Sequence, residues 1–171
     1  MNASAYIAEP GANAQFFGNI SSSQWQLSER PLLLIVSPHI VNDEVEAKIS
    51  VLTPSFEATR AKLLHIPSIS DITFAEWPED VNPYEVAISA LPPLTGGQDT
   101  IFVDSGIRHF IVDGLDEAAP PKSKVLSAPM EIRYLRERKS PSEIELLKCV
   151  NEACLLPRSG PVCTCLFAAC R

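Results

Sequence analysis

Short apolar segments bounded by prolines and polar turns constrain the fold of this chain most strongly. Residues 32–36 form an apolar run between Pro31 and Pro38, which is typical of a strand buried on both faces. Residues 48–52 and 72–77 alternate apolar and polar side chains, as half-buried strands do. These patterns predict strands in the first half of the chain.

Segments with helix-start signals lie between these strands. Pro54 precedes a predicted helix over residues 55–64. Asn82 and Pro83 supply the cap and the first-turn proline of a second helix. Because strands alternate with helices and some connections are too short for crossovers, the sequence predicts an α/β fold with a mixed β-sheet flanked by helices.

Two further apolar runs, residues 101–103 and 109–112, flank a turn-like triplet that begins at Asp104. This spacing predicts a strand–turn–strand unit. Residues 125–128 are the last strand candidate of the body. Asp104, His109 and Asp113 raise the possibility of a metal or acid–base site, but each Asp precedes a small residue, the usual setting of a turn. We therefore predict turns at both aspartates.

Composition and charge exclude several classes of protein. The 171 residues carry a net charge of −7, which gives no electrostatic reason to expect a nucleic-acid partner. An apolar fraction of 46% with 20% charged residues fits a soluble globular domain. No apolar run approaches the roughly 20 residues that span a bilayer, and no signal peptide is visible at the N-terminus. The compartment stays unknown, with the cytoplasm slightly favoured.

A basic connector and a helix start follow the body of the chain. Residues 131–139 mix Arg133, Arg136, Arg138 and Lys139 with glutamates, which predicts a solvated, salt-bridged connector. Ser140, Pro141 and Glu143 then form a capping-box pattern. The helix that they open carries an apolar stripe at Ile144, Leu147, Val150 and Cys154. That stripe needs a partner surface, and the short remainder of the sequence is not expected to provide it.

All five cysteines lie between Cys149 and Cys170. The body therefore needs no disulfide staples. Cys163, Cys165 and Cys170 match zinc-ligand spacing poorly. A redox or metal-binding tail stays open as an alternative, but we expect residues 155–171 to be an unstructured, aberrant tail of out-of-frame or intron-derived origin.

The remaining candidate residues carry no recognisable catalytic motif. His39 and His65 have no nucleophile at a suggestive spacing, and Gly96 with Gly97 makes a flexible connection instead of a phosphate loop. Tryptophan side chains are more often buried in a core than placed in the wall of a pocket. We therefore predict core positions for Trp25 and Trp77. The residues by themselves predict no catalytic, cofactor-binding or metal-binding site.

Several segments, in order, resemble one protein family. Residues 9–17 and 27–34 resemble the N-terminal domain of the creatinase/aminopeptidase P/prolidase family. Residues 51–60 and 75–77 resemble a fungal-type branch of Xaa-Pro peptidases. Residues 132–140 with Glu143 and Ile144 resemble the family's junction into its catalytic domain. The likeness runs from about Tyr6 to about Ala153.

This resemblance implies a fold for the chain and a division of function between an N-terminal domain and a catalytic domain. It implies a ribonuclease H-like N-terminal domain that helps the protein to oligomerise and roofs the active site. In such proteins a separate catalytic domain binds two divalent metals, usually Mn²⁺, through two Asp, one His and two Glu. None of these five ligands has a matching position here, and Asp104 and Asp113 are not the family's Asp pair.

The resemblance also gives the expected domain layout and function. Residues 1–130 are expected to be the α/β domain, clipped at both ends, and residues 131–154 the connector and first helix toward an absent catalytic domain. The expected function is that of a non-catalytic domain of an Xaa-Pro peptidase-like protein, inactive alone and without a cofactor of its own. The alternative is a stand-alone interaction module that pairs with full-length relatives. Protein partners are expected in both cases, whether the catalytic domain, a second copy or a full-length relative.

Overall fold

The computed structural model describes residues 3–67, 71–92 and 99–155, with side chains to residue 152. The chain divides into two compact units, Met1–Pro129 and Met130–Arg171. The first unit holds one six-stranded sheet. Its strands are β1 (Ala3–Ala8), β2 (Leu33–Val41), β3 (Glu44–Pro54), β4 (Thr73–Trp77), β5 (Thr100–Val103) and β6 (Lys124–Ser127).

The sheet is mixed, in the order β4-β3-β2-β1-β5-β6. Only β2 runs against its neighbours, since β1 pairs antiparallel with β2 and β2 antiparallel with β3. The pairs β3–β4, β1–β5 and β5–β6 are parallel. Five strands therefore point the same way and end at one edge of the sheet, called the carboxyl edge below. The predicted α/β class with a mixed sheet is confirmed.

Helices of the first unit cover both faces of this sheet. They are α1 (Ala12–Gly18), α2 (Ala58–Lys62), α3 (Pro83–Ser89) and α4 (His109–Ala118), with a 3₁₀ turn at Ser55–Glu57 before α2. Side chains of β1, β2, β3 and β5 form the main core with α3 and α4, which includes Ile7, Leu33, Ile101, Ile111 and Leu115.

Helix α1 packs on the other face of the sheet. A Cβ added at Gly18 would lie 2.9 Å from the methyl carbons of Leu34. Leu34 alternates with Leu33 along β2 and so points away from α3 and α4. Burial on both faces explains why residues 32–36 are continuously apolar.

Most local predictions for the first unit are confirmed. The segments 32–36, 48–52, 72–77, 101–103 and 125–128 lie in or largely within β2, β3, β4, β5 and β6. Asn82 caps α3, where its Oδ1 accepts the backbone N–H of Tyr84 at 2.9 Å. The predicted helix over residues 55–64 is present as a 3₁₀ turn followed by the short helix α2.

The strand predicted at residues 109–112 is wrong, because these residues open helix α4. The run of aromatic and β-branched residues suggested a strand. However, the buried residues Ile111, Gly114 and Leu115 lie at helical spacing and face the core. The strand–turn–strand unit is therefore a parallel β5–α4–β6 crossover.

Strands β2 and β3 form a hairpin longer than the apolar runs predicted. Its turn residues Asn42 and Asp43 have φ of 50° and 66°. Two successive positive φ angles are the signature of a type I′ turn, in which Asn is favoured at the first position. The register then pairs Val41 with Glu44 and Ile40 with Val45.

The second unit consists, in its described part, of α5 (Met130–Glu137) and α6 (Pro141–Leu155). The predicted capping box is present: the Ser140 N–H donates to Glu143 Oε2 at 2.8 Å, and the Glu143 N–H donates to Ser140 Oγ at 3.2 Å. The tail predicted at residues 155–171 lies outside the described residues apart from Leu155. No helix in the described ranges is long and apolar enough to cross a membrane.

Candidate functional site

The carboxyl edge of the sheet gathers polar side chains from distant parts of the chain. Glu9 follows β1, Asp104 follows β5, and Arg108 precedes α4. Parallel strands end at the same edge, so residues that follow them come together although they are far apart in sequence. This edge is the candidate site.

A buried ion pair forms the centre of this edge. Arg108 Nε and Nη2 donate to Glu9 Oε1 at 2.9 and 2.6 Å, and the Arg108 backbone N–H donates to Glu9 Oε2 at 2.9 Å. Glu9 is 6% exposed. Both carboxylate oxygens are therefore occupied, and the charge of Glu9 is neutralised inside the fold.

Two further groups flank the ion pair. Asn13 Nδ2 donates to Asp104 Oδ1 at 2.5 Å, which ties α1 to the end of β5. The pKa of the Tyr84 hydroxyl is raised, chiefly because burial disfavours the phenolate; the Arg108 charge opposes this shift and the Glu9 charge adds to it. The Tyr84 hydroxyl is thus held in its neutral form, and it adds no charge to the Glu9–Arg108 pair, whose own charges cancel.

An open cleft of about 570 Å³ lies farther along the same edge, where β3 and β4 end. Its walls are Arg30, Ser55, Phe56, Trp77, Pro78 and Glu79. Arg30 pairs with Glu79 at 2.6 Å, and its guanidinium carbon lies 5.3 Å from the centre of the Phe56 ring. Phe56 is 62% exposed. The cleft is thus lined by the apolar side chains of Phe56, Trp77 and Pro78 and by one exposed ion pair.

A hydrogen-bond chain joins the ion pair to the cleft. Arg108 Nη2 donates to the Ser28 carbonyl oxygen at 2.7 Å. Ser28 Oγ donates to the Arg30 carbonyl oxygen at 3.0 Å, and the Arg30 N–H donates to Ser28 Oγ at 3.2 Å. The segment before β2 thus holds Arg30 in place relative to Glu9.

In the described part of the chain, the charged side chains of this edge bond to groups within it, Glu9 to Arg108 and Asp104 to Asn13. No cluster of three or more His, Cys, Asp or Glu side chains that could hold a metal occurs in residues 3–67, 71–92 and 99–152.

The residues singled out from the sequence are dispersed in the structure. Asp104 follows β5 in a turn, as predicted, whereas Asp113 lies within α4, so the turn predicted there is wrong. His109 Nδ1 and Asp113 Oδ2 are 3.0 Å apart, one helical turn apart on an exposed surface. These three residues form no common site.

The other candidates have structural roles or lie elsewhere. His39 sits on the exposed part of β2, and the carbonyl of His65 accepts a bond from Asn19 Nδ2 at 3.0 Å. Trp25 and Trp77 are buried, as predicted, but Trp77 also lines the cleft. Gly96, Gly97, Cys163, Cys165 and Cys170 lie outside the described residues.

The predicted salt-bridged connector takes the form of helix α5. Arg133 Nε lies 2.9 Å from Glu137 Oε1, one turn along the helix. The guanidinium of Arg138 lies 5.4 Å from the centre of the Tyr134 ring. Arg133 and Arg138 thus interact with side chains of the second unit itself.

Sequence reasoning missed Glu9 and Arg108, the two central residues of the edge. They are separated by 99 positions, and although Glu9 begins the family-like segment 9–17, no sequence pattern pairs the two residues. The signal that could have identified them is their position next to secondary structure. Glu9 directly follows β1, and Arg108 directly precedes α4, which the sequence did not predict as a helix. The strand prediction at residues 109–112 hid that signal.

Comparison with known proteins gives one curated relative and several structural neighbours. No protein-family model matches the chain. The sequence is 36% identical over 151 residues to an uncharacterized peptidase of Schizosaccharomyces pombe, covering 87% of this chain and 32% of that protein. The chain therefore spans about a third of the length of its curated relative.

Two solved structures share the fold. A dipeptidase from Pyrococcus horikoshii OT3 matches with a TM-score of 0.61 and 17% identity, over 88% of this chain and 37% of that chain. A proline dipeptidase from Streptococcus agalactiae matches with a TM-score of 0.53 and 14% identity, over 77% of this chain and 86% of that chain. The resemblance predicted from the sequence is confirmed at the level of a peptidase relative and a shared fold.

Proposed function

We propose that this chain supplies the N-terminal α/β domain of a peptidase of the creatinase/aminopeptidase P/prolidase family, and that this domain binds and assembles instead of catalysing. The observation that carries the proposal is the 36% identity, over 151 residues, to part of an uncharacterized peptidase. The resemblance at residues 9–17 and 27–34, and at the junction near Glu143, supports an N-terminal position for this domain within such a protein.

The chemistry of the described residues supports a non-catalytic role. The dinuclear metal centre implied by the family needs carboxylates that are available to coordinate. Glu9 is held by Arg108, and one oxygen of Asp104 is held by Asn13. These side chains do not fit a metal pair, so we assign no metal-dependent step to this domain. The Mn²⁺ dependence and Xaa-Pro specificity are proposed for the whole protein alone.

The cleft at the carboxyl edge supports the roofing role. A surface that closes over a peptide needs apolar side chains with a few charged groups. Phe56 and the Arg30–Glu79 pair provide both at the rim of the cleft. We propose that this cleft is the part of the domain that faces the substrate side of the complete peptidase.

A peptidase assay tests the non-catalytic assignment. The purified 171-residue chain is incubated with an Xaa-Pro dipeptide and an Xaa-Pro tripeptide in the presence of Mn²⁺. We expect no turnover above a metal-only blank and no stoichiometric Mn²⁺ binding in a calorimetric titration. Turnover that disappears with a chelator would overturn the proposal.

A stand-alone module that pairs with full-length relatives is the second candidate. Helix α6 exposes Ile144, Leu147 and Val150 by 42%, 48% and 40%. Co-purification of the tagged chain with a full-length relative, lost on Leu147→Lys but kept on Glu145→Lys, would support it. Recovery of the chain without the relative would count against it.

A further inference from the structure

The outer edge of β3 is unpaired over residues 44–49. Strand β4 pairs with β3 only from Ser50 onward, where Ser50 lies opposite Thr73. On its inner side, β3 is paired with β2 as far as Val41 opposite Glu44. Within the described ranges of the chain, no strand lies on the outer side of residues 44–49. We call this stretch the open edge.

The backbone groups of Val45 and Ala47 point outward at the open edge. In a hairpin with a two-residue turn, Val41 and Glu44 form a hydrogen-bonded pair, and bonded and non-bonded pairs then alternate along the strands. Val45 and Ala47 therefore fall in non-bonded pairs, so their N–H and C=O groups face away from β2. Among the described residues these groups have no hydrogen-bond partner. Such a row of free donors and acceptors is a template for a further strand.

The other strand edges of the sheet are less able to accept a partner. On β2, Pro38 lies in a non-bonded pair with Ala47, so its nitrogen faces outward and has no N–H to donate. Strand β6 has only four residues and begins with Lys124, and β4 has only five. Proline, lysine and short length are the features with which natural sheets protect their edges. The open edge contains no proline.

The side chains of the open edge define the chemistry of a partner strand. Val45 and Ala47 lie on one face of the hairpin, and Glu44 and Glu46 lie on the other. Val45 is 72% exposed, and both glutamates are exposed. In the described part of the chain, neither glutamate takes part in an ion pair. A neighbouring strand places its side chains beside these on the same face, where apolar pairs pack and opposite charges attract.

We propose that the open edge binds an extended segment of a partner protein, in which apolar residues alternate with Lys or Arg, as an added antiparallel strand. In strand addition the backbone hydrogen bonds give affinity and the alternate side chains give specificity. The antiparallel direction follows from its slightly greater stability per residue. The same edge of a second copy is disfavoured, because it would bring glutamates against Glu44 and Glu46. The inference goes beyond the proposed peptidase-domain function, since it adds a partner that this function does not require.

The register makes a prediction that simple charge attraction does not make. In an antiparallel pair, the residues opposite Val45 and Ala47 are hydrogen-bonded partners and share their face. The apolar residues of the added strand therefore donate their N–H groups to β3, whereas the N–H groups of its basic residues point to solvent. N-methylation of the apolar residues should block binding, and N-methylation of the basic residues should be tolerated.

Calorimetric titration of the full 171-residue chain with a short, acetylated and amidated peptide of alternating valine and lysine tests the proposal. We expect binding that weakens with added salt, because the contact joins opposite charges at an exposed edge. Binding should be lost when the valines are N-methylated and kept when the lysines are. A peptide of the same composition, with the valines and the lysines in two separate blocks, should not bind.

Variants of the chain test the same contact from the other side. Glu46→Lys should weaken binding of the alternating peptide about fivefold or more, because an attraction is replaced by a repulsion. Glu117→Lys on the exposed surface of α4 changes the net charge equally and is the matched control, with no expected effect. Ala47→Pro removes an outward N–H that β2 does not use, so it should also weaken binding. Thermal unfolding verifies that each variant is folded.

Three results would overturn this assignment. They are no binding of the alternating peptide, binding that survives N-methylation of the valines, or an equal loss in Glu46→Lys and Glu117→Lys. The probe peptides contain no proline, so the Xaa-Pro peptidase assay is independent of these outcomes and the two proposals fail separately.

Discussion

At the scale of single residues, Arg108 joins segments that lie far apart in the sequence. It donates to Glu9 after β1 and to the Ser28 carbonyl before β2, and its guanidinium lies 4.7 Å from the centre of the Phe110 ring. Because Glu9 is buried, its charge depends on this one partner. The main energetic effect of losing Arg108 is therefore that the buried carboxylate of Glu9 is left without a cation.

Arg108→Met should destabilise the first unit by about 2–4 kcal/mol, since it leaves a buried carboxylate without its cation; the partial exposure of Arg108 keeps the loss below that of a fully buried pair. Urea unfolding measures the change. The matched control is Arg30→Met, which breaks the exposed Arg30–Glu79 pair and should cost less than about 1 kcal/mol. Equal losses in both variants would contradict the assigned role of burial.

Gly114→Ala is the second residue-scale prediction. A Cβ at Gly114 would lie 2.2 Å from two carbons of the Tyr84 ring and 2.8 Å from its Cγ, so the ring and the helix would have to separate. The steric cost of about 1–3 kcal/mol should exceed the roughly 1 kcal/mol that Ala gains in helix propensity.

Thermal unfolding of this variant is compared with that of Gly106→Ala. There the new Cβ would meet Asp104 Oδ2 at 3.6 Å, an ordinary contact. We expect a lower melting temperature for Gly114→Ala and little change for Gly106→Ala. A melting temperature that rises in Gly114→Ala would show that Tyr84 moves aside at no cost.

At the scale of elements, local sequence signals set the ends of some helices. Asn82 caps α3, and Ser140 with Glu143 closes the start of α6, both as predicted from short patterns. Such caps act within one turn, so nearby residues suffice to specify them. Helix α4 lacks this kind of signal, since its cap residue Arg108 makes no side-chain capping bond.

The capping box of α6 makes a pH-dependent prediction. The pKa of Glu143 is lowered, chiefly because the Ser140 backbone N–H donates to the carboxylate, with the Ser140 side chain also contributing. A lowered pKa in the folded helix means that the ionised form stabilises it above the unfolded-state pKa. This contribution is lost as the pH falls through the lowered pKa.

Ser140→Ala removes the side-chain contribution and keeps the backbone N–H, so the pKa of Glu143 should rise only part of the way toward its ordinary value. The loss of the Ser140 Oγ cap should also reduce the helicity of α6 at neutral pH. Carboxyl NMR titration measures the first effect, and backbone chemical shifts measure the second. Ser142→Ala, two positions along the same helix, is the control and should change neither. A pKa of Glu143 that does not change at all in Ser140→Ala would show that the Ser140 side chain contributes nothing to the lowered pKa.

At the scale of the whole molecule, the first unit contains its own core. Residues Ile7, Leu33, Ile101, Ile111 and Leu115 are fully buried within it, and they come from both ends of the unit. A domain with a core of this kind folds as one body because its strands and helices have no other place to bury these side chains. The second unit contributes no described residue to this core.

A shortened chain of residues 1–129 should therefore keep the fold of the first unit. We expect dispersed amide NMR spectra and an unchanged melting temperature for this piece. A chain that stops at residue 119 is the matched control: it lacks β6, so the paired edge of β5 is uncovered and cooperative unfolding should be lost. Loss of structure in the longer piece would show that the core needs α5 or α6.

The sequence by itself located segments of β2 to β6 and the starts of two helices. Residues 32–36 and 101–103 had to be buried strands because continuous apolar runs bounded by turns have no stable exposed form. Asn82 and Ser140 had to be caps because their bonds reach only to the next turn. The likeness to a peptidase domain was equally visible in ordered segments of the sequence, and the 36% identity to the S. pombe protein agrees with it.

Only the tertiary structure decided the features that depend on distant contacts. Residues 109–112 became a helix because Ile111 and Leu115 are buried against the sheet, which no local preference encodes. Glu9 met Arg108 across 99 positions because β1 and β5 are parallel neighbours that end at the same edge. The unpaired outer length of the β2–β3 hairpin, residues 38–47, likewise became visible only from the pairing of β1 with β2 and of β4 with β3. Local chemistry thus determined most strands and two helix starts, because those signals act over a few residues. Tertiary burial determined α4, and strand order and direction determined which side chains meet at the carboxyl edge.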